Sequence, residues 1–214
     1  MAVTNGDRLA RERLLRRALQ LVWIGEVWNV LETGVGLWSG ITAGSVALVA
    51  YGFDGLIELF AGAVMIWRLN QTEKEETTAE KKALKLIGIT FFLLSAYILV
   101  QAVATLLGWF AEPQESLVGI VLVIASAVLM TILFFWKTNL AKKLGSPALR
   151  AEAKQSLACD LQDLTVLVGL GANALWGWWW ADPVAALTLI PWLLKEGWES
   201  IFEKEEASQA EPES

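Results

Sequence analysis

The sequence predicts an all-α membrane protein built as a bundle of six transmembrane helices, and three observations carry that prediction. Of 214 residues, 55% are hydrophobic and only 19% are charged, with a mean hydropathy of +0.48. A soluble domain of this length needs a more polar surface, so the composition selects lipid as the solvent. Long apolar runs recur along the chain, near the ~20 residues that a helix needs to cross the hydrocarbon core. Every lysine and arginine falls in alternate connections between those runs, at the run ends that adjoin them, or at the two ends of the chain.

The six runs cover residues 19–38, 45–67, 84–109, 117–136, 156–176 and 183–198. They do not alternate polar with apolar and are too long for barrel strands, so they read as helices. The arm 1–18 that precedes them is basic, and no A-x-A-like cleavage site follows it, so it is not expected to be a cleaved signal peptide. The breaks carry turn residues: Ser39-Gly40 and Gly44, then Glu112-Pro113, then Ala181-Asp182-Pro183. Asp182-Pro183 reads as a helix cap, and Gly145-Ser146-Pro147 as the start of a helix that leads into the fifth run. Glu73, Glu75, Glu76 and Glu80 read as a solvated linker or helix start. Gly62, Gly88, Gly169, Gly171 and Gly177 read as close-packing positions between helices. The six-helix domain spans 19–201. The tail 202–214 carries Glu203, Glu205, Glu206, Glu211 and Glu213 and reads as solvated and disordered.

Orientation follows from charge. Arg8, Arg11, Arg13, Arg16 and Arg17 precede the first run. Arg68, Lys74, Lys81 and Lys82 lie between the second and third, with Lys85 at the very start of the third, and Lys137, Lys142, Lys143, Arg150 and Lys154 lie between the fourth and fifth. With Lys195 and Lys204 these are all 17 basic residues of the chain, and the three opposite loops have none. The positive-inside rule therefore predicts a multi-pass protein of the cytoplasmic membrane with both termini cytoplasmic. Tryptophans fit the same frame, with Trp38, Trp109 and Trp178–Trp180 at outer ends and Trp67, Trp136 and Trp198 at inner ends, as interfacial belts require.

The composition also excludes chemistry. There is no histidine, the commonest general base and metal ligand, and Cys159 is the single cysteine, so no intrachain disulfide forms. No nucleophile–base pair, cofactor fingerprint or basic patch with interleaved aromatics appears, so neither an enzyme, nor a cofactor protein, nor a nucleic-acid binder is expected.

What remains are acids inside apolar runs: Glu26 and Glu32 in the first, Asp54 and Glu58 in the second, Asp160 and Asp163 in the fifth. A carboxylate in a membrane costs several kcal/mol unless it faces a polar pathway. No lysine or arginine is expected deep enough to neutralise these six, which points to bound cations or protons. Asp54 and Glu58, four apart, share one helix face. Gln155, Cys159 and Asp163 repeat that spacing and form a polar stripe in the fifth run. Two facing stripes would supply a four-ligand site; the alternative is protonated acids hydrogen-bonding between helices. For Cys159 the alternative is a small buried hydrophobe.

At these residues the sequence resembles the cation diffusion facilitator family over most of 14–201. Asn29-Val-Leu-Glu32 resembles the family's N-x-x-E. Ser45-Val-Ala-Leu-Val-Ala followed by Asp54-x-x-x-Glu58 resembles its second span, where two acids four apart bind metal. Ala151-Glu152-Ala153-Lys154-Gln155 followed by Cys159 resembles A-D-A-x-H-x-x-x-D, and Trp180-Ala-Asp-Pro183-Val-Ala-Ala-Leu resembles the W-A-D-P-x-x-A-L that opens the sixth span. The resemblance implies a divalent metal cation transporter, proton-coupled and exporting from the cytoplasm, in a homodimer. It implies metal binding by Asp54, Glu58, Gln155 and Cys159, with Asp163, Glu32 and Glu26 as proton relay or pathway.

This sequence departs from the family by Glu58 for Asp, Gln155 for His and Cys159 for Asp. It ends soon after the sixth run, which reads as a short member lacking the family's C-terminal cytoplasmic domain. Between the fourth and fifth runs it also lacks a His-rich loop. Asp160 has no family counterpart. The thiol suits zinc or cadmium better than an oxygen-only ion such as manganese, and the transported metal, iron included, stays open. The alternative function is a non-transporting membrane protein that keeps the fold for assembly or regulation of a partner.

Overall fold

The computed structural model describes residues 5–43, 46–72, 75–109 and 117–203, and all the elements among them are helical. The expectations for Gly44, Glu73, Lys74, Glu112-Pro113 and the acidic tail beyond Glu203 lie outside the described residues. The elements run α1 (Asn5–Ala43), α2 (Val46–Leu69), α3 (Glu76–Leu106), α4 (Leu117–Leu144), α5 (Pro147–Trp176), α6 (Ala181–Leu187) and α7 (Ile190–Trp198), with a π-helical turn at Glu199–Glu203. The sixth predicted span is thus two short helices. Thr188 and Leu189 join them, their N–H groups bonding back to Ala185 and Ala186.

Helix α5 is central, packing against α2, α3, α4 and α6, while α1 lies across α2 and α4. Around an apolar core the bundle differs from a soluble one in having large apolar side chains on its outside and carboxyls among its buried groups. Leu31 and Val100 are 60% and 68% exposed, while Asp54 and Glu58 are 4% and 8% exposed. Apolar groups on the outside and carboxyls within are stable only where the surroundings are themselves apolar. Within α3, and within the Ile124–Leu144 part of α4, mean hydropathy over a span-length window is 2.2 and 1.5; these are the two described segments long and apolar enough to cross a bilayer. Helices α1 and α5 carry the acids that lower their hydropathy, and α6 and α7 are each too short to cross alone.

The basic end is stitched by ion pairs. α1 is continuous through the basic arm; its 39 residues extend ~58 Å, well beyond the hydrocarbon core. There Arg11 donates to Glu76 on α3. Arg68 donates to Glu80, and at 2.9 Å to Glu76. Glu80 also accepts from Ser146 Oγ (2.8 Å) and from the Ala148 N–H (2.7 Å), tying α2, α3 and the start of α5 together. These two acids do open a helix, as expected, but they are paired and partly buried rather than solvated.

Gly145 takes φ +63° just past α4, a left-handed position that glycine adopts without strain. Ser146 Oγ then accepts the Leu149 N–H at 3.2 Å, so the predicted Gly-Ser-Pro helix start is observed. Asp182 sits in the first turn of α6 and makes no cap: the N-cap position is Trp180. Its carboxyl faces Thr165, whose hydroxyl donates at 3.4 Å.

Among the glycines, Gly88 and Gly197 let α3 and α7 touch: a Cβ on Gly88 would come 2.6 Å from Ile201. Gly171 has open space around it. Gly177 is a turn residue at φ +70°, so neither is a packing position here. The side-chain surroundings of Gly169 lie outside the described residues.

Candidate metal centre

The α1, α2 and α5 helices enclose a small cavity of about 30 Å³. That is room for one or two water-sized occupants. Asp54 and Glu58 enter it from α2, Cys159 and Asp163 from α5, and Asn29, Glu32 and Thr33 from α1. The i, i+4 spacing on α2 and on α5 puts each pair on one helix face, and direct packing of α2 against α5 brings the two faces together.

The groups in the cavity are under-satisfied. Asp54 Oδ1 and Glu58 Oε1 are buried with no hydrogen-bond partner among the described residues. Ser156, Asn29 and Cys159 stand within hydrogen-bonding reach of the Glu58 carboxyl group. Glu32 accepts from Ser126 Oγ at 3.1 Å, and that hydroxyl accepts from Trp28 Nε1 at 3.0 Å, so α4 fixes the outer rim from behind. Orphaned buried carboxylate oxygens are costly in any protein and require a ligand, a proton or a solvent path. In this conformation the acids line the cavity without converging. Among the described residues no three Asp, Glu or Cys side chains are close enough together to hold one ion.

Gln155, expected beside Cys159, does not line the cavity. It is fully buried one turn away, where its Oε1 accepts from Thr90 Oγ1 at 3.2 Å. Asp160 points to α4 and accepts from Thr131 Oγ1 at 3.1 Å. Glu26 lies toward the basic end, its carboxyl seated over Gly62 so closely that a Cβ there would fall 1.7 Å from Oε1. Asn29 and Thr33 line the cavity although sequence reasoning gave them no site role. Their signal was present in the helical spacing of Glu26, Asn29 and Thr33, which marks one polar face on an otherwise apolar run.

One expectation is overturned. A basic residue does lie deep in the bundle: Lys137 is 1% exposed and donates to Glu152 at 2.5 Å. The predicted fourth span stops at Trp136, but α4 continues for eight more residues, to Leu144. Lys137 therefore sits two turns inside a helix and faces the core instead of a loop. Its ammonium neighbours Glu26 as well as Glu152, with Glu152 Oε2 left without a partner.

A helical bundle with an apolar exterior and an under-satisfied acidic cavity fits an integral membrane protein that handles cations. The comparisons agree with that class. Residues 22–204 match the family model described as the cation efflux transmembrane domain, and the chain belongs to that family. It is 25% identical over 205 residues to metal tolerance protein 4 of Oryza sativa subsp. japonica, and 24% identical to metal tolerance protein 11 of Arabidopsis thaliana. The alignments cover 87% and 88% of this chain but 48% of each relative, so the chain spans about half their length.

Proposed function

We propose that this chain carries a divalent metal cation across the cytoplasmic membrane, out of the cytoplasm and in exchange for protons, as a homodimer. The observation that supports it most is the cavity itself: Asp54, Glu58, Cys159 and Asp163 share one small cavity, and Asp54 Oδ1 and Glu58 Oε1 are buried there with no hydrogen-bond partner among the described residues. Family membership and relatives named for metal tolerance support the same reading.

Asp54, Glu58 and Cys159 act as ligands. Asp163, which shares their cavity, takes the place that spacing had offered to Gln155. A cation drawn among these acids relieves their mutual repulsion. The acids release protons as it binds, and ligand deprotonation couples metal binding to proton release in any such site. Glu32 on the outer rim and Glu26 toward the basic end extend the polar path to both sides. The thiolate favours zinc or cadmium over an ion that demands oxygen alone.

The test is flux into proteoliposomes of the purified protein, with zinc, cadmium, manganese and iron compared. Wild type is expected to move at least one of them with counter-movement of protons. Asp54→Asn, isosteric but without charge, should reduce that flux to the lipid background while the protein still inserts. No flux for any ion, and none lost on Asp54→Asn, would decide for a non-transporting role in assembly or regulation.

A further inference from the structure

A second and larger cavity, about 430 Å³, opens at the basic end between α3, α4, α5 and α7. It shares no lining residue with the candidate metal centre and plays no part in the proposed transport. Its lining includes Lys142 at the end of α4, Arg150 and Lys154 in the first turns of α5, Ser146 between them, and Glu196 and Glu199 opposite.

The charges there are unequally committed. Glu196 accepts from Lys154 and, at 3.1 Å, from Trp192 Nε1. Glu199 is paired with Lys195 at 3.4 Å. Ser146 Oγ is engaged with Glu80 and with the Leu149 N–H, while the Ala148 N–H is held by Glu80. The α5 N-terminus is therefore already capped and offers little to a ligand. Lys142 and Arg150 remain, both exposed and in no ion pair among the described residues. Two uncommitted cations face a cavity whose other walls include the apolar Leu84, Ala141 and Ala151.

Position narrows the ligand. Lys142 lies six residues past Trp136, about 9 Å along the helix, and Glu199 directly follows Trp198. Both tryptophans are more than half exposed, as interfacial anchors are. The cavity thus opens at headgroup depth. Volumes of a few hundred Å³ suit small ligands, and basic pockets between helices on the cytoplasmic side suit anionic lipid headgroups.

We propose that this cavity binds the phosphate of an anionic phospholipid, with Lys142 and Arg150 holding the phosphate and the apolar wall receiving the glycerol and upper acyl chain. The assignment to lipid rests on the proposed orientation, in which this end faces the cytoplasmic leaflet; it does not rest on transport.

The experiment is native mass spectrometry of the purified full chain in detergent, titrated with phosphatidylglycerol or phosphatidylcholine. Wild type should retain the anionic lipid about 30-fold more strongly, the effect of two cations near a surface. Lys142→Ala/Arg150→Ala should reduce that preference to near unity with thermal stability unchanged, since neither side chain is in an ion pair. Lys143→Ala, exposed beside the cavity but not lining it, should keep the full preference. Equal retention of the two lipids by wild type, or a preference that survives the double variant, overturns the proposal. Millimolar inorganic phosphate that displaces the lipid while the lipid shows no preference of its own would make this a free-anion site, and also overturns it. Labelling of Lys142→Cys from outside intact cells would sink the orientation while leaving the detergent result standing, so the two failures are distinguishable.

Discussion

At the basic end of the bundle Glu76, Glu80, Glu152, Glu196 and Glu199 each meet a lysine or arginine, whereas in the cavity Asp54, Glu58 and Asp163 form no ion pair among the described residues. Both sets are acids on packed helices, and several members of each are buried. The difference lies in what completes them. At the basic end a carboxylate is answered by a fixed charge, and all these pairs except the local Lys195–Glu199 tie one helix to another. In the cavity a carboxylate has hydroxyl, amide and thiol neighbours, which leave it short of a cation. Under the proposed function a mobile cation supplies what is missing.

Breaking the fixed pairs should damage the fold, not selectivity. The largest effect is expected at Lys137. Lys137→Met strands Glu152 in the interior and should cost about 3–5 kcal/mol, the usual penalty for a buried charge that loses its partner. The Lys137→Met/Glu152→Gln pair should recover most of it. Unfolding in mixed micelles with increasing SDS reads both. A double variant as unstable as the single one would mean that the lysine's role is not pairing with Glu152.

A smaller effect is expected where the two regions meet. Gly62→Ala places a methyl group where the Glu26 carboxyl now sits, so Glu26 must move. The cost should be about 1–3 kcal/mol, as for other overpacked sites. Gly62→Ala with Glu26→Ala should be closer to wild type than Gly62→Ala alone, read in the same unfolding assay. Additive costs would separate the two residues.

At the solvent edge the fixed pairs fade. Arg11 is 39% exposed in its pair with Glu76, and Glu76 keeps Arg68 when Arg11 is lost. Arg11→Ala should therefore cost no more than about 1 kcal/mol. A loss as large as that at Lys137 would contradict the gradient from core to edge.

Much of this was legible in the sequence. The apolar runs, the one-sided basic residues and the acids four apart led to a helical membrane bundle. The pairing of the α2 stripe with Cys159 and Asp163 followed from spacing and from the resemblance. The misreadings share one cause. Apolarity marks where lipid lies, but not where a helix ends or which way a polar side chain turns. Lys137 looked like a loop residue because the apolar run stops at Trp136, yet helical propensity carries α4 on to Leu144 and turns the lysine inward. Gln155 shares the face of Cys159 by periodicity, but Thr90 on α3 engages it, and no single-helix pattern shows a neighbour from another helix. The break of the sixth span into α6 and α7 did have a signal, Pro191 in the first turn of α7, whose missing N–H leaves Leu187 at the end of α6 without a helical partner.

The central claim is that a divalent cation binds in the cavity of Asp54, Glu58 and Cys159. The chain supplies its own reporter, because Cys159 is its only cysteine and lines that cavity. The most direct measurement is the rate at which a small, membrane-permeant thiol reagent modifies Cys159 in the purified protein, with and without zinc, cadmium or manganese. The account predicts that at least one cation slows modification in proportion to its occupancy, by about tenfold at ten times its dissociation constant. It further predicts that Asp54→Asn abolishes the protection while the metal-free rate stays similar. Modification that no divalent cation slows, or protection that persists undiminished in Asp54→Asn, would contradict it.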